Sequence, residues 1–358
     1  MPRIVSVSTE IARTRLVNED FVTTYGREPV VRFHVIVRVK SDTGIIGIGE
    51  ACPLPFTPDD DHERIRHAID NDLGPLLVGE DPFDLGAIHG KMNRIPLPGK
   101  TALAGIDIAV YDLIGKTRGV PVYEILGGTK RESVEVASAL GIGSLSFIVK
   151  SAEEKLAKGA KAIKIKVGID IDKDIETMKA VRDAVGDLIK IRADANTGYS
   201  LKAATRVLRA AERIGLEYLE QPLAANDYDG LAHLRKNSSV PIMADESLQT
   251  VEDARRLIEH EAVDLFGLKL IKHGGIYPTR TISTLAEENG IECVLISPWE
   301  TQIGVAAGVH LIISSSNFNH PHETGIRELK NDPIQGLKEE MGIIQPPTGS
   351  GLGVSFKN

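Results

Sequence analysis

Four short apolar runs, each closing in charged residues, fall between residues 162 and 245: AIKIKVG, IRADANTGY, YLEQPL and PIMADES. A longer segment with helical patterning follows each of them. Lysines and acids therefore recur at the C-terminal ends of successive strand-like segments, which is where parallel α/β proteins, and (β/α) barrels above all, assemble their chemistry. The alternation continues on both sides. Strand-like runs are read at 134–142, 162–167, 189–195, 219–222, 240–245, 263–270 and 291–298, with helical segments at 152–159, 174–185, 201–214, 251–260 and 279–289. Seven units at a spacing of about 25 residues, and a last strand expected near 317–324, predict a parallel (β/α) barrel. An open doubly wound sheet is the alternative, but no glycine-rich phosphate loop follows the first strand.

The chain before the barrel reads as α+β. Strands are expected at 4–13, 30–40 and 45–50, the last after the turn Asp42-Thr43-Gly44, and helices over 62–126. In the segment 101–116, Leu103, Ile106, Val110 and Leu113 share one helical face. The expected division is an α+β domain of residues 1–128, a barrel of 129–325 and a C-terminal segment 326–358 whose Gly/Pro-rich end packs back on the N-terminal sheet. Two irregular loops, 17–29 and 51–61, flank that sheet; most such loops are plain connections, but loops held by a rigid sheet are also where lids are found. With 42% hydrophobic and 26% charged residues in 358, the composition is that of a soluble protein with a large core. A net charge of −8 without a basic stripe argues against nucleic acid, and no apolar run approaches the roughly 20 residues that span a bilayer. The N-terminus alternates like a strand and lacks the pattern of a signal peptide. Cys52 and Cys293 form neither a disulfide framework nor a ligand-spaced cluster; two buried free thiols and a cytoplasmic location are expected.

Side chains alternate along a strand, so Lys164 and Lys166 point the same way. Two close ammonium groups repel, and with partial burial one is expected to become a neutral amine able to act as a general base. Alone, the pair reads better as a solvated strand end. Asp194, Glu220 and Asp245 shift the balance: they stand 26 and 25 residues apart on three adjacent strands. Helix capping explains one such acid at a time, not three at equal spacing. Three carboxylates brought together repel unless a divalent cation lies among them, and oxygen ligands suit Mg²⁺ or Mn²⁺, not zinc. Asn196 and Arg192 share the parity of Asp194 and are expected to brace it, while Glu246 should face the other side of its strand as support for Asp245. Lys269 ends the sixth strand-like run. The second and sixth strands of a barrel lie across from one another, so Lys166 and Lys269 should face each other over the metal. Lys272 falls in the following loop and reads as structural or substrate-contacting. Glu300 reads either as a hydrogen-bonding acid near the site or as a core-facing acid paired with a lysine.

Taken in order, Lys-x-Lys (Lys164, Lys166), Asp-x-Asn (Asp194, Asn196), Glu-Gln-Pro (Glu220), Ala-Asp-Glu-Ser (Asp245) and a lysine before Gly-Gly (Lys269) resemble the enolase superfamily. Within it the chain is similar to the muconate-lactonizing subgroup of the mandelate racemase/muconate lactonizing enzyme family, not to the mandelate racemase subgroup proper, whose opposing base is a histidine. The N-terminal region, with its helix Asp107-Ile-Ala-Val-Tyr-Asp-Leu, resembles that family's capping domain, so the resemblance covers essentially the whole chain. It implies a modified TIM barrel and a common first step. A small-molecule carboxylate binds Mg²⁺, a lysine removes the α-proton, and the metal and a lysine stabilise the enediolate. It assigns Lys166 to one face of the substrate and Lys269 to the other, and places Lys164 near the substrate carboxylate or in control of its neighbour. The loops 17–29 and 51–61 match the family's substrate-selecting loops, and homo-oligomers are frequent among such barrels.

The resemblance leaves several outcomes for the intermediate. The subgroup includes racemases and epimerases of amino-acid derivatives, muconate cycloisomerases and dehydratases. Dipeptide epimerases of the subgroup hold the substrate ammonium with an Asp-x-Asp on the last strand; residues 319–325 here read NHPHETG, leaving Glu323 to meet a cationic nitrogen. The expectation is a racemase or epimerase of an N-substituted or cyclic amino acid. A dehydratase of a hydroxylated amino acid or hydroxy acid comes second, and a muconate-type cycloisomerase third. A catalytically silent ligand-binding barrel would have lost a metal ligand or a base, and none is lost.

Overall fold

The computed structural model describes residues 2–55, 57 and 60–357. The chain starts with an antiparallel meander, β1 (Ile4–Leu16), β2 (Val31–Ser41) and β3 (Ile46–Ala51). Alternation along β2 sends Val35, Val37 and Val39 into a helical layer on one side, while Ile36 joins Ile48 in the core shared with the barrel. The sheet is therefore covered on both faces. Helix α1 (Thr101–Arg118) lies on it and ends at Gly119, whose φ of 70° closes the C-terminus. Leu103, Ile106, Val110 and Leu113 enter the helical-layer core. The opposite face of α1 is buried as well. Asp112 accepts from the backbone of Ile48 (2.7 Å) and Leu352 (2.8 Å), and Asp107 accepts from His89 (2.6 Å).

The barrel strands follow in sequence order: β4 (Ala137–Leu140), β5 (Ala162–Lys166), β6 (Lys190–Asp194), β7 (Leu219–Glu220), β8 (Ile242–Ala244), β9 (Leu265–Leu268) and β10 (Glu292–Leu295). Every pair is parallel, with Lys166 opposite Asp194 and Asp194 opposite Glu220. The eighth position is a bridge instead of a full strand. The Ala137 N–H donates to His322 O (2.7 Å), His322 N–H to Glu135 O (2.7 Å), Glu323 N–H to Leu295 O (3.0 Å) and Ser297 N–H to Glu323 O (2.7 Å). Two residues thus join both edges of the sheet and close the barrel.

The barrel helices are α2 (Leu145–Ala157), α3 (Ile171–Val185), α4 (Leu201–Ile214), α5 (Tyr228–Lys236), α6 (Val251–Glu259), α7 (Ile276–Glu288) and α8 (Gln302–Ile313). Helix α8 has no legible period because all of its residues from Ile303 to Ile313 are buried. Among the described residues no helix is long and apolar enough to cross a membrane. The end of the chain threads between units. Leu329–Lys330 pairs with β1, Ile343–Ile344 with Val134–Glu135, and Ser355–Phe356 with Ile334–Gln335.

Two backbones meet where β3 passes under α1. A Cβ on Gly49 would lie 2.1 Å from Gly105 O, and one on Gly47 2.0 Å from Ala109 O. Because both obstacles are backbone atoms, the contact has no flexible side chain to yield. Gly49→Ala is expected to destabilise the protein by about 3 kcal/mol through overpacking, read as a lower urea midpoint; a midpoint equal to that of the wild type would show that the sheet and helix can separate freely.

Candidate active site

Strand alternation brings Lys164, Lys166 and Asp194 into the barrel interior, and the next strands add Glu220 and Asp245. Lys164, 1% exposed, is surrounded by Glu220 Oε2 at 2.7 Å, Glu323 Oε2 at 2.9 Å and Asp194 Oδ2 at 3.1 Å. Lys166 Nζ donates to Asp194 Oδ2 (2.5 Å) and Asn196 Oδ1 (3.1 Å). On the far side, Lys269 Nζ donates to Asp245 Oδ2 (2.6 Å), and Lys272 Nζ to Asp245 Oδ1 (2.6 Å) and O (2.7 Å). The acids lie between the ammonium groups.

For Lys164 this arrangement runs against the expectation that repulsion within the Lys164–Lys166 pair makes one amine neutral. Burial disfavours the charge on Lys164, but Asp194, Glu220 and Glu323 outweigh it and hold its pKa well above the ordinary lysine value. Lys269 is raised in the same way: burial opposes its charge, and Asp245, Glu246 and Glu220 prevail. Lys272 is lowered by burial, with the Lys269 charge acting in the same direction.

Several supporting residues stand elsewhere than their strand parity suggested. Arg192 does not brace Asp194. It lies deeper in the barrel, donating to Glu217 Oε2 (2.6 Å) and Pro321 O (2.9 Å), with its guanidinium 4.6 Å from the Tyr218 ring centroid. Glu246 faces the cavity because β8 ends at Ala244 and alternation no longer applies. Its Oε1 accepts from Tyr25 OH (2.7 Å) and Asn196 Nδ2 (3.0 Å). Asn196 (φ 41°), Gln221 (φ 35°) and Trp299 (φ 64°) adopt left-handed backbone at the strand ends, a conformation rare for residues other than glycine that clusters at functional sites. Gln221 uses that turn to brace Asp245, its Oε1 accepting from Asp245 N (3.0 Å) and Ser247 N (3.1 Å). Glu300 is buried away from the cavity lining, beside Glu50, with no lysine paired to it; its Oε1 has no hydrogen-bond partner among the described residues.

The cavity above this floor measures ≈ 460 Å³. Lys164, Lys166, Asn196, Asp245, Glu246, Lys269, Lys272 and Glu323 line it, together with Phe21, Tyr25 and Glu28 from the 17–29 loop and Leu54, Pro55 and Thr57 from the 51–61 loop. Phe56, Pro58 and Asp59 of the latter loop lie outside the described residues. Sequence reasoning missed Tyr25, Glu28, Trp299 and Lys100 as cavity residues, since nothing in their local pattern tells a lid from an ordinary loop. The place of Gln221 was legible in Glu-Gln-Pro but was not read.

The floor has the donor set of a hard cation, although the three acids are not gathered around one point. Glu220 is fully buried; its Oε2 has the Lys164 ammonium at 2.7 Å, but its Oε1 has no hydrogen-bond partner among the described residues. Glu246 Oε2 and Glu323 Oε1 are orphaned in the same way. Buried carboxylate oxygens short of donors fit a divalent ion held by oxygen ligands. The one set of three ligand atoms within 4.8 Å of one another among the described residues is His34, Glu50 and Cys52, outside the cavity floor. There Glu50 is already satisfied by His34 Nδ1 (2.7 Å), Thr301 N (3.0 Å), Thr301 Oγ1 (2.5 Å) and Gly304 N (3.0 Å), so the cluster is a hydrogen-bonded strut between the small sheet and α8. Cys52 and Cys293 are buried free thiols.

Residues 20–127 match the mandelate racemase/muconate lactonizing enzyme N-terminal domain, and residues 148–358 the enolase C-terminal domain-like family. The chain belongs to the mandelate racemase/muconate lactonizing enzyme family. It is an enzyme of the enolase superfamily, whose relatives are metal-dependent isomerases. It is 34% identical to the N-succinyl-L-Arg/Lys racemase of Bacillus cereus, over 94% of this chain and 91% of that one. It is 31% identical to a chloromuconate cycloisomerase of Cupriavidus necator, over 99% and 96%. Among solved structures it matches a dipeptide epimerase from Enterococcus faecalis complexed with Mg and L-Leu-L-Tyr, with a TM-score of 0.94, 32% identity and 99% of both chains covered.

In this member of the family, burial, with the Glu50 carboxylate beside it, pushes the Glu300 carboxyl up from 4.5 to about 8. The folded chain then holds a proton that the unfolded chain has lost, so this group costs stability progressively as pH rises from about 4.5 to about 8. Glu300→Gln mimics the protonated form. Its stability relative to wild type is expected to be a few kcal/mol more favourable at pH 9 than at pH 5, measured by urea unfolding; an equal difference at both pH values would refute the assignment.

Proposed function

We propose that this enzyme racemises or epimerises an N-substituted or cyclic amino-acid derivative by removing and returning the proton on its α-carbon. The observation that carries this reading is the pair Lys166 and Lys269, which line one cavity from opposite strands, each held by its own strand-end carboxylate. Asp194, Glu220 and Asp245 are the residues that would hold the ion, Mg²⁺ by similarity to the Enterococcus structure, with Mn²⁺ the alternative. That ion would supply positive charge beside the substrate carboxylate, where negative charge builds as the α-proton leaves.

The chain's own groups do the rest. A carbon whose proton leaves on one face and returns on the other needs an acceptor on the first face and a donor on the second. Lys166 and Lys269 meet that need when one is neutral and the other protonated, and their roles exchange with the enantiomer. Lys164, enclosed by three carboxylates, keeps its charge and adds a fixed positive field beneath the substrate. Glu323 Oε1 is buried without a partner and lines the cavity, so it is placed to accept from a substrate N–H. Phe21, Tyr25, Leu54 and Pro55 line the cavity from the cap loops, where a bound substrate would displace water and so protect a carbanion from adventitious protonation. The similarity to chloromuconate cycloisomerases supports a second reading in which one lysine acts alone and the product is a ring.

The test is proton exchange in D₂O with Mg²⁺, using N-acyl, N-methyl and cyclic amino acids. Wild type is expected to label and racemise the α-carbon. Lys166→Ala and Lys269→Ala should each lose racemisation by about 10²- to 10⁴-fold, while each variant still exchanges the proton of one enantiomer only. EDTA should abolish exchange and Mg²⁺ restore it. Ring formation without α-exchange of amino acids would replace this reading with the cycloisomerase one, and loss of water with the dehydratase one.

A further inference from the structure

The eighth barrel position is a bridge at His322 and Glu323, and the wall opens beyond it. The Ala137 N–H donates to His322 O (2.7 Å), but among the described residues no backbone hydrogen bond joins 138–140 to 324–328. That second stretch turns outward instead. The Ile326 N–H donates to Glu339 Oε2 (2.9 Å), Glu328 O accepts from Val17 N (2.9 Å), and Leu329 pairs with β1. An ion pair reaches it from α2, Lys155 Nζ to Glu328 Oε1 at 3.1 Å.

A second cavity, of ≈ 570 Å³, lies on the other face of β4. Alternation divides the strand between the two spaces. Ala137 and Ala139 line the active-site cavity, while Val136, Ser138 and Leu140 line the second. Gly325 and Glu328 line both, so the cavities meet at the unpaired edge of β4. The backbone of Gly325 is not left-handed, so its missing side chain matters for space. A Cβ there would lie 3.0 Å from Val136 Cγ1 and 3.5 Å from Glu339 Oε2, both in the wall of the second cavity. Val17, Val136, Leu140, Phe147 and Ile148 make that wall apolar. Phe147 is 46% and Val17 44% exposed, which leaves apolar surface in water at the mouth. The charges beside it meet one another: Lys155 pairs with Glu328, and Arg327 with Glu339 (3.4 Å).

We propose that the second cavity receives the far end of the substrate's N-substituent, so that the preferred substrate carries an extended apolar acyl group on its nitrogen. This rests on the racemase reading, which sets the nitrogen at Glu323. Gly325 stands two residues further on, about 7 Å away along extended backbone. An extended chain advances roughly 1.2 Å per bond, so an acyl group reaches the opening after about six bonds. Acetyl and butanoyl groups then end in the first cavity. An octanoyl group enters the second.

Wild type, Phe147→Ala and Gly325→Val, each with Mg²⁺, would be titrated with N-acetyl, N-butanoyl and N-octanoyl derivatives of alanine and of methionine. Trp299, the single tryptophan, lines the active-site cavity, so its fluorescence reports binding without turnover. Exchange of the α-proton in D₂O would be followed in parallel. Each methylene that leaves water strengthens binding by about three- to fourfold, so wild type is expected to bind octanoyl at least about tenfold more tightly than butanoyl compounds. Phe147 is half exposed and lies outside the active-site cavity. Phe147→Ala should therefore leave acetyl affinity within about twofold of wild type and cut the octanoyl gain several-fold. Gly325→Val should erase that gain; where it fails to fold, Phe147→Ala decides alone. No gain in wild type, a gain that Phe147→Ala retains in full, or binding of none of the compounds would overturn the inference. Binding selective for chain length but without α-exchange would overturn the racemase reading and leave the cavity its role. Exchange at one kcat/KM for every chain length would do the reverse.

Discussion

The structure depends on one electrostatic constraint: carboxylates and ammonium groups are buried together at the C-terminal ends of the barrel strands. Asp194, Glu220, Asp245, Glu246 and Glu323 face Lys164, Lys166, Lys269 and Lys272, five acids against four bases. Taking any of these charges out of water alone is prohibitive, and interleaving them makes the cluster tolerable. The single excess negative charge is what a divalent cation and a substrate carboxylate would together cancel. By formal charge the floor is thus nearly balanced without ligand and balanced with it.

That floor is useful only under a roof, and the roof is held by contacts of a different kind. The small sheet meets α1 backbone to backbone through Gly47 and Gly49, a close approach that a side chain would prevent. It meets the barrel through Glu50, which accepts from His34 and from the N-terminus of α8, where the helix dipole favours a carboxylate. Arg32 extends from the same sheet to the carbonyl of Pro298, next to the strained turn at Trp299. The cavity wall at the end of β10 is therefore set partly by the N-terminal sheet. Changes in a loop far from the lysines in sequence can reshape the pocket while the chemistry stays fixed.

The legible and illegible parts of this site divide along physical lines. Lys164, Lys166, Asp194, Glu220, Asp245 and Lys269 could be read because alternation and even spacing are local properties that survive folding. Parity failed once the strand ended, where Glu246 turned inward after Ala244; Arg192, inside β6, paired with Glu217 just ahead of the neighbouring strand instead of bracing Asp194. Helix α8 was missed because a helix buried on every side has no polar face to reveal its period. The eighth strand, expected near 317–324, is reduced to a bridge at His322 and Glu323, because two residues suffice to join two edges that are already close.

By itself the sequence determined the order of units, the identity of the acids and lysines, and the resemblance that named the family, since these follow from residue type and spacing along the chain. Tertiary structure alone decided which ammonium meets which carboxylate, which loop residues line the cavity, and that Glu28 and Glu323 both line it. Those outcomes depend on through-space distance and on the removal of water, and neither quantity is defined until strands far apart in the chain have closed into a barrel and the cap has docked on it.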